Sequence, residues 1–503
     1  MVSHLVSAQS RCHAFPNVLL VGATALSIIV GRPASARAQL VTPRTVPVHQ
    51  GQQFDILPSA RAGMASVSIA LDDSLLDPFV NPAKAVRIRE GVVFSAPFLH
   101  SVSNDRGGGR TLPIGGVAPV GGWAAAGVFA LQQLDRAGPM RFNQAISDRT
   151  ATNQYASLVL ARRLSGGLAI GASASLADLN AVDGVDLLYS GSDHIDQSGQ
   201  SADLRLGLTK EFTGNRRLEV MLLHNRFEMV HDVHYTSWSW QPATRSSVQT
   251  TRLDHNEDRT YAWGAHAAFT QPLGSEGWRI GWLATANQLS HPKIPNYALQ
   301  NIPRDPGTTW GFNAGVGLAR VVSGTTFGVD LIYEPMRSET WSDAARDTSV
   351  GGNSMIRAGD KTVENTFRFS NTIMRIGLSH ETALASDSGN VLGFQLGLGL
   401  YSINYRLGQT NNLRRTFRSQ REGWIEWTPT FGLGFHTHTM RVQYTFSLTC
   451  GPSSCMDFGG QRAIASAPAP VSAGGIIAAP SAPLTFDGGT VTSHKVWFSI
   501  PIR

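Results

Sequence analysis

Apolar residues recur at every second position along several stretches of the chain. The cleanest runs through Leu392, Phe394, Leu396, Leu398 and Leu400, with Gly393, Gln395, Gly397 and Gly399 between them. A period of two is the strand period, and it makes one face apolar and the other small or polar. The pattern returns at Leu204, Leu206 and Leu208, at Trp310, Phe312, Ala314, Val316 and Leu318, and at Val442, Tyr444, Phe446 and Leu448. Each run is about ten residues long, the length a tilted strand needs to cross the hydrocarbon layer. The alternation therefore predicts an all-β fold, a transmembrane antiparallel β-barrel.

Turn residues divide the chain into hairpins of unequal connection. Short turns fall at Ser165-Gly166-Gly167, Thr213-Gly214-Asn215, residues 274–277, Ser323-Gly324-Thr325, residues 385–390 and near Thr437. Between them run long polar connections, over 181–200, 232–259, 290–308, 337–363, 407–422 and 450–491. Short turns at one end and long loops at the other mark an outer-membrane barrel, with the short turns periplasmic. Strands are predicted at 91–104, 111–119, 122–135, 153–164, 167–180, 201–213, 216–229, 260–273, 277–289, 309–322, 325–336, 364–381, 390–406, 423–436, 439–449 and 494–503. That is about sixteen, an even number as bacterial barrels require, with about fourteen as the alternative. Pro97, Pro113 and Pro119 weaken the first two as ladder members. Trp263, Trp278, Trp282, Trp310, Tyr333, Trp424 and Trp427 fall near strand ends, where interface girdles sit. The Ala/Pro/Ser/Gly-rich stretch within 450–491 predicts a long extracellular loop.

Composition agrees. Of 503 residues only 16% are charged and 51 are Gly, and the mean hydropathy of −0.08 is natural for a chain that alternates. Residues 1–38 read as a signal peptide, with Arg11 ahead of an apolar Val18–Val30 stretch and Ala36-Arg37-Ala38 before a cut. The apolar stretch is too short to span comfortably, which favours cleavage over anchoring. Loss of Arg11, Arg32 and Arg37, with no acidic residue beside them, takes the formal charge from +6 to +3. No basic stripe points to nucleic acid. Cys12 leaves with the signal. Cys450 and Cys455, in CGPSSC, are expected to form a loop disulfide in an exported chain, with a metal pair as the rival reading.

Ahead of the first strand, residues 59–84 do not alternate. They carry Ala60-Arg61-Ala62-Gly63-Met64, then Ala70-Leu71-Asp72-Asp73, then Asn81-Pro82-Ala83. This order resembles the N-terminal region of the outer-membrane long-chain fatty-acid transporter (FadL-like) family, whose members also include aromatic-hydrocarbon channels and secretion-linked barrels. Here Ala65-Ser66 stand where that family has a Gly pair, and Lys84 where it has Gly. The resemblance implies that residues 39–86 form a hatch inside a barrel of residues 87–503, with Asp72, Asp73, Asn81, Pro82 and Ala83 as hatch residues. A barrel of this size has a wide lumen. Inward glycines such as Gly281, Gly315, Gly317, Gly393, Gly397 and Gly399 make room for a hatch, or serve barrel curvature alone. Asp72 and Asp73 are expected to meet inward arginines such as Arg205, Arg279 or Arg441. Asp203, Arg205, Arg279, Asp330 and Arg441 are the candidate polar lumen residues, with Glu334, Arg375 and Glu426 also facing inward.

No nucleophile elbow or triad spacing is present, and no enzyme or cofactor is expected. His436-x-His438 and His231-Asp232-Val233-His234 each lack a third ligand at recognisable spacing, so no metal site is expected. The function implied is a plugged outer-membrane channel for hydrophobic compounds such as long-chain fatty acids, in a Gram-negative bacterium. The aromatic stretch around Trp238 and Trp240 serves as substrate entry or as a lipid anchor. Rival readings are a general or selective porin and a structural or secretion-linked barrel. Expected partners are outer-membrane lipid, lipopolysaccharide, the barrel-assembly machinery and a hydrophobic ligand. The oligomeric state is open.

Overall fold

The computed structural model describes residues 55–102, 107–135, 150–182, 192–274, 276–292, 306–351, 354–384, 389–451 and 490–502. The expected signal segment, residues 39–54, Cys455 and most of the 450–491 loop lie outside the described residues.

The first strand, β1, is in two pieces, Gly91–Ser95 and Phe98–Val102. Then come β2 (Gly108–Val120), β3 (Trp123–Asp135), β4 (Thr150–Arg163), β5 (Leu168–Leu179) and β6 (His194–Phe212). The tall hairpin of β7 (Arg216–Gln241) and β8 (Ser246–Pro272) follows, then β9 (Trp278–His291), β10 (Gly307–Val322) and β11 (Thr325–Asp343). The last five are β12 (Lys361–Ala383), β13 (Val391–Asn411), β14 (Thr416–His436), β15 (Arg441–Cys450) and β16 (Thr490–Ile502). Every neighbour is antiparallel, and β16 closes on β1, with Ile502 opposite Gly91 and Lys495 opposite Phe98. The result is a closed sixteen-strand barrel. The break in β1 falls at Ala96-Pro97, where proline has no N–H for the ladder. The register against β16 continues unshifted across it.

The alternation sorts the two faces. On β13, Leu392, Phe394 and Leu396 stand 38–49% exposed on the outer wall while inward Gln395 is 9% exposed. An exposed apolar belt around a closed barrel whose inner wall is polar fits lipid outside and protein or water inside. The architecture is that of an outer-membrane barrel.

The long connections differ from expectation. Residues 232–259 and 407–422 are mostly strand, because β7–β8 and β13–β14 run on as two-stranded ribbons. Thr- and Ser-rich polar strands pair well once water covers both faces, and no hydrophobic alternation is needed to hold them. His231 and His234 therefore lie in a strand and not in a loop. A small hairpin (Thr348–Val350 with Ser354–Ile356) sits in the connection after β11.

Candidate functional site: the lumen and its N-terminal segment

Residues 55–88 cross the barrel interior. Three short helical turns, Ala62–Met64, Asp77–Val80 and Pro82–Arg87, are joined by irregular chain. Local capping holds them. Buried Asp73 accepts hydrogen bonds from the Ser59 hydroxyl (2.7 Å) and from the Leu75 and Leu76 amides. Asn81 caps the Pro82–Arg87 turn through the Ala83 amide at 3.1 Å, with Pro82 at its first position.

The inner wall is notched to receive this segment. A Cβ on Gly207 would lie 2.0 Å from Asn81 Oδ1, and one on Gly171 2.5 Å from the Ala83 nitrogen. Gly281 and Gly317 face Ile69, Gly328 faces Val67, and Gly377 and Gly397 face the Met64-Ala65 backbone. All seven lie within six residues of the short-turn end of their strands. The segment thus fills the short-turn half of the lumen. Gly393 and Gly399, also expected to make room for it, do not abut it closely.

Polar wall groups bind the segment's backbone. Asp330 of β11, fully buried, accepts from the Ser68 amide (2.8 Å) and the Ile69 amide (3.3 Å). Arg205 of β6, also buried, pairs with Asp203 at 2.7 Å and donates to the Phe79 and Val80 carbonyls. Lys495 of β16 donates to the Asp55 and Leu57 carbonyls at 3.1 and 2.7 Å. Thr430 of β14 accepts from the Ala65 amide and donates to the Gly63 carbonyl. These bonds hold Ala65 and Ser66 at φ of 54° and 58°, the left-handed region that favours glycine. That is where the resembled family carries its Gly pair.

Two charge clusters complete the contact. Arg87 holds Asp72 with two hydrogen bonds (3.0 and 2.9 Å), and Arg217 and Arg279 reach it from β7 and β9 at 2.6 and 3.4 Å. Burial works against the Asp72 charge, but the Arg87 hydrogen bonds and the nearby cations hold its carboxyl well below the usual carboxylate range. Lys84 bridges Asp77 (3.0 Å) and Glu219 of β7 (3.3 Å). Burial pushes Asp77 up to about 6, since Lys84 offsets it only in part and Glu219 adds repulsion.

Of the expected pairings, Asp72 with Arg279 forms and the others do not. Asp73 serves the segment's own fold, Arg205 takes backbone carbonyls, and Arg441 is exposed at the short-turn end of β15. Arg87, Arg217, Glu219 and Lys495 were not singled out from sequence, and Lys84 only as a departure from the resembled family. Alternation does put Arg217 and Glu219 on one face of their strand, and Lys495 opposite the apolar face of Val496 and Phe498. Trp238 and Trp240 are 67% and 61% exposed near the tip of β7. They share the strand face opposite to Arg217 and Glu219. Cys450, last in β15, is buried and disulfide-bonded.

Toward the long-loop end the inner wall of β11–β14 carries an apolar patch among polar neighbours. Met336, Phe369, Ile403, Tyr405, Leu407 and Trp424, from β11 to β14, pack into one cluster flanked by Phe367 and Tyr401. Ile403 follows Gly397 by six residues, about 20 Å along the strand. Buried carboxylates edge this wall: Glu334 accepts from Tyr401 at 2.9 Å and Glu426 from the Trp424 indole at 3.2 Å.

Strand pairing also assembles metal-type donors that spacing did not reveal. His194 and His234 are opposite each other with rings stacked at 4.0 Å, and their Nε2 atoms lie 3.4 and 3.3 Å from Asp196 Oδ2. A tetrahedral ion with bonds of about 2.0–2.1 Å holds its donors about 3.3–3.4 Å apart. These three side chains could hold a divalent transition metal on the outer face of β6–β7.

No family model matches the sequence, and no curated protein matches it. Among solved structures the chain is similar to a Pseudomonas aeruginosa FadL homologue (TM-score 0.40, 11% identity, 89% of this chain and 98% of that one). It is also similar to the Ralstonia pickettii toluene transporter TbuX (0.35, 11%, 88% and 97%). A bacterial polysaccharide outer membrane secretin gives 0.38 at 8% identity over 82% of this chain and 99% of that one. At such distances the likeness carries no functional argument, and the reading below rests on the lumen.

Proposed function

We propose that this chain is a plugged outer-membrane channel for uptake of small hydrophobic compounds such as long-chain fatty acids. The observation that carries the reading is the division of the lumen. A folded segment fills the short-turn half, and an apolar wall centred on Phe369, Ile403, Tyr405 and Trp424 lies beyond it. These side chains bury one another, so a ligand reaches them by parting the cluster; an alkyl chain or an apolar ring then leaves water at about 25 cal/mol per Å² buried, where a hydrophilic solute gains nothing. The ligand enters from the long-loop end and partitions onto this wall. A shift of residues 55–88 then opens a path, driven by diffusion without a cofactor. The bonds to the segment are individually modest, so partial release requires fewer interactions than unfolding the barrel.

The test is binding and uptake of a fluorescent long-chain fatty acid. Replacing Phe369 and Trp424 with Ala should weaken binding about tenfold or more, at about 1.5–3 kcal/mol for each buried apolar side chain lost. Unchanged binding, together with rapid sugar permeation in liposome swelling, would instead establish a porin.

A further inference from the structure

Four arginines stand side by side on the outer wall. Arg337 of β11 is opposite Arg368 of β12, Arg368 is opposite Arg406 of β13, and Arg406 is opposite Arg421 of β14. All four are exposed. They alternate with inward Met336, Phe369, Tyr405 and Trp424, so they face away from the lumen. Like charges directly opposite on paired strands repel and destabilise the pair. Arg337 has a close ion pair with Glu339. Among the described residues Arg368, Arg406 and Arg421 have no carboxylate at ion-pair distance. The β7–β8 hairpin handles its outward arginines differently. On β7–β8, Arg226 pairs with Glu228 at 2.7 Å and Arg259 with Glu257 at 3.1 Å.

The row also has a place and a shape. Trp310 is opposite Arg337, and Tyr333 and Trp427 lie on the same outer face nearer the short-turn end. Such aromatics mark the interface, so the arginines sit at headgroup level of the outer leaflet. Arg368, Arg406 and Arg421, with Ser370, Asn404 and Glu422, line a groove of about 540 Å³, the Glu422 carboxylate accepting from the Tyr405 hydroxyl. Four strands at about 4.8 Å spacing make a row of about 14 Å. Guanidinium forks match phosphate oxygens bidentately.

We infer that this row binds the phosphates of a phosphorylated glycolipid of the outer leaflet, lipopolysaccharide. Its acyl chains would lie along the apolar belt below. The inference needs only the outer-membrane barrel and stands apart from the uptake reading. The test uses folded protein in detergent and fluorescently labelled lipopolysaccharide, read by polarisation. The triple variant Arg368→Gln/Arg406→Gln/Arg421→Gln should bind about tenfold or more weakly, from the loss of charge-assisted hydrogen bonds. The matched Arg226→Gln/Arg259→Gln variant should bind like the parent. Heat-modifiable gel mobility reports that each barrel is folded. Enzymatic removal of the lipid phosphates should reduce binding to the parent as much as the triple variant does. Equal binding by parent and triple variant, or indifference to the lipid phosphates, would overturn the proposal. Inorganic phosphate binding as tightly as the lipid would overturn the choice of a lipid.

Discussion

Asp330→Ala is the sharpest perturbation of the closed lumen. The carboxylate is fully buried and takes two amides of the N-terminal segment, Ser68 at 2.8 Å and Ile69 at 3.3 Å. Alanine removes the acceptor and leaves the buried Ile69 amide unpaired, whereas the exposed Ser68 amide can turn to water. That buried loss costs about 1–3 kcal/mol. Anchors at Thr430, Lys495 and Asp72 remain, and the barrel's ladder is untouched. The cost therefore falls on the equilibrium between docked and loosened segment. At about 2 kcal/mol, the middle of that range, the loosened population rises about thirtyfold, since about 1.4 kcal/mol is tenfold. Trypsin reads this directly, because Arg61 and Lys84 lie within the segment and are shielded when it is docked. When reclosing outpaces cleavage, the cleavage rate follows the open population. Asp330→Asn, which keeps one carbonyl acceptor, should fall between parent and alanine variant. An alanine variant that folds and is cleaved no faster than the parent would refute the reasoning.

Three further outcomes follow from the same contacts. Gly377→Leu should expel the segment and make the barrel leak ions, because a Cβ there meets the Met64 carbonyl at 2.5 Å, whereas Gly393→Ala, with its nearest neighbour at 3.5 Å, should leave conductance unchanged. Asp77 is pushed up to about 6 when docked, so the docked state binds its proton more tightly than the released one and docking strengthens as pH falls from about 6 toward 4, by about 3 kcal/mol at most. Asp72 is held low and its contribution survives until far below that window, so hydrogen exchange, corrected for intrinsic rate, should show more protection of residues 72–84 at pH 5 than at pH 7.5, a difference Asp77→Asn should flatten and a reversed trend would contradict. Zinc should bind the folded protein at one site that His194→Ala and Asp196→Asn each weaken by about tenfold or more by calorimetry, and binding indifferent to both would remove the site.

Much of the barrel was legible because lipid enforces alternation. Runs such as Leu392–Leu400 and Trp310–Leu318 must place an apolar side chain outward at every second position, so their period and parity could be read directly and their number to within one hairpin. Above the membrane that pressure ends. Residues 232–259 and 407–422 carry no period, although backbone hydrogen bonds continue the strands through them. Asp72 was readable as a charge needing a partner, but which arginine reached it was not. Arg279 and Arg217 come from β9 and β7, and only the closed barrel sets their distances. Lys84, a departure from the resembled family, proves to be the ion bridging Asp77 to the wall. The arginine row was invisible in sequence because Arg337, Arg368, Arg406 and Arg421 meet only through strand register.

The central claim is that the N-terminal segment closes the lumen, and planar-bilayer conductance tests it most directly. The intact protein should be silent apart from brief openings. A variant lacking residues 39–86 should conduct steadily, as a sixteen-strand barrel with an empty lumen must. Steady conductance from the intact protein, unchanged by the deletion, would contradict the account.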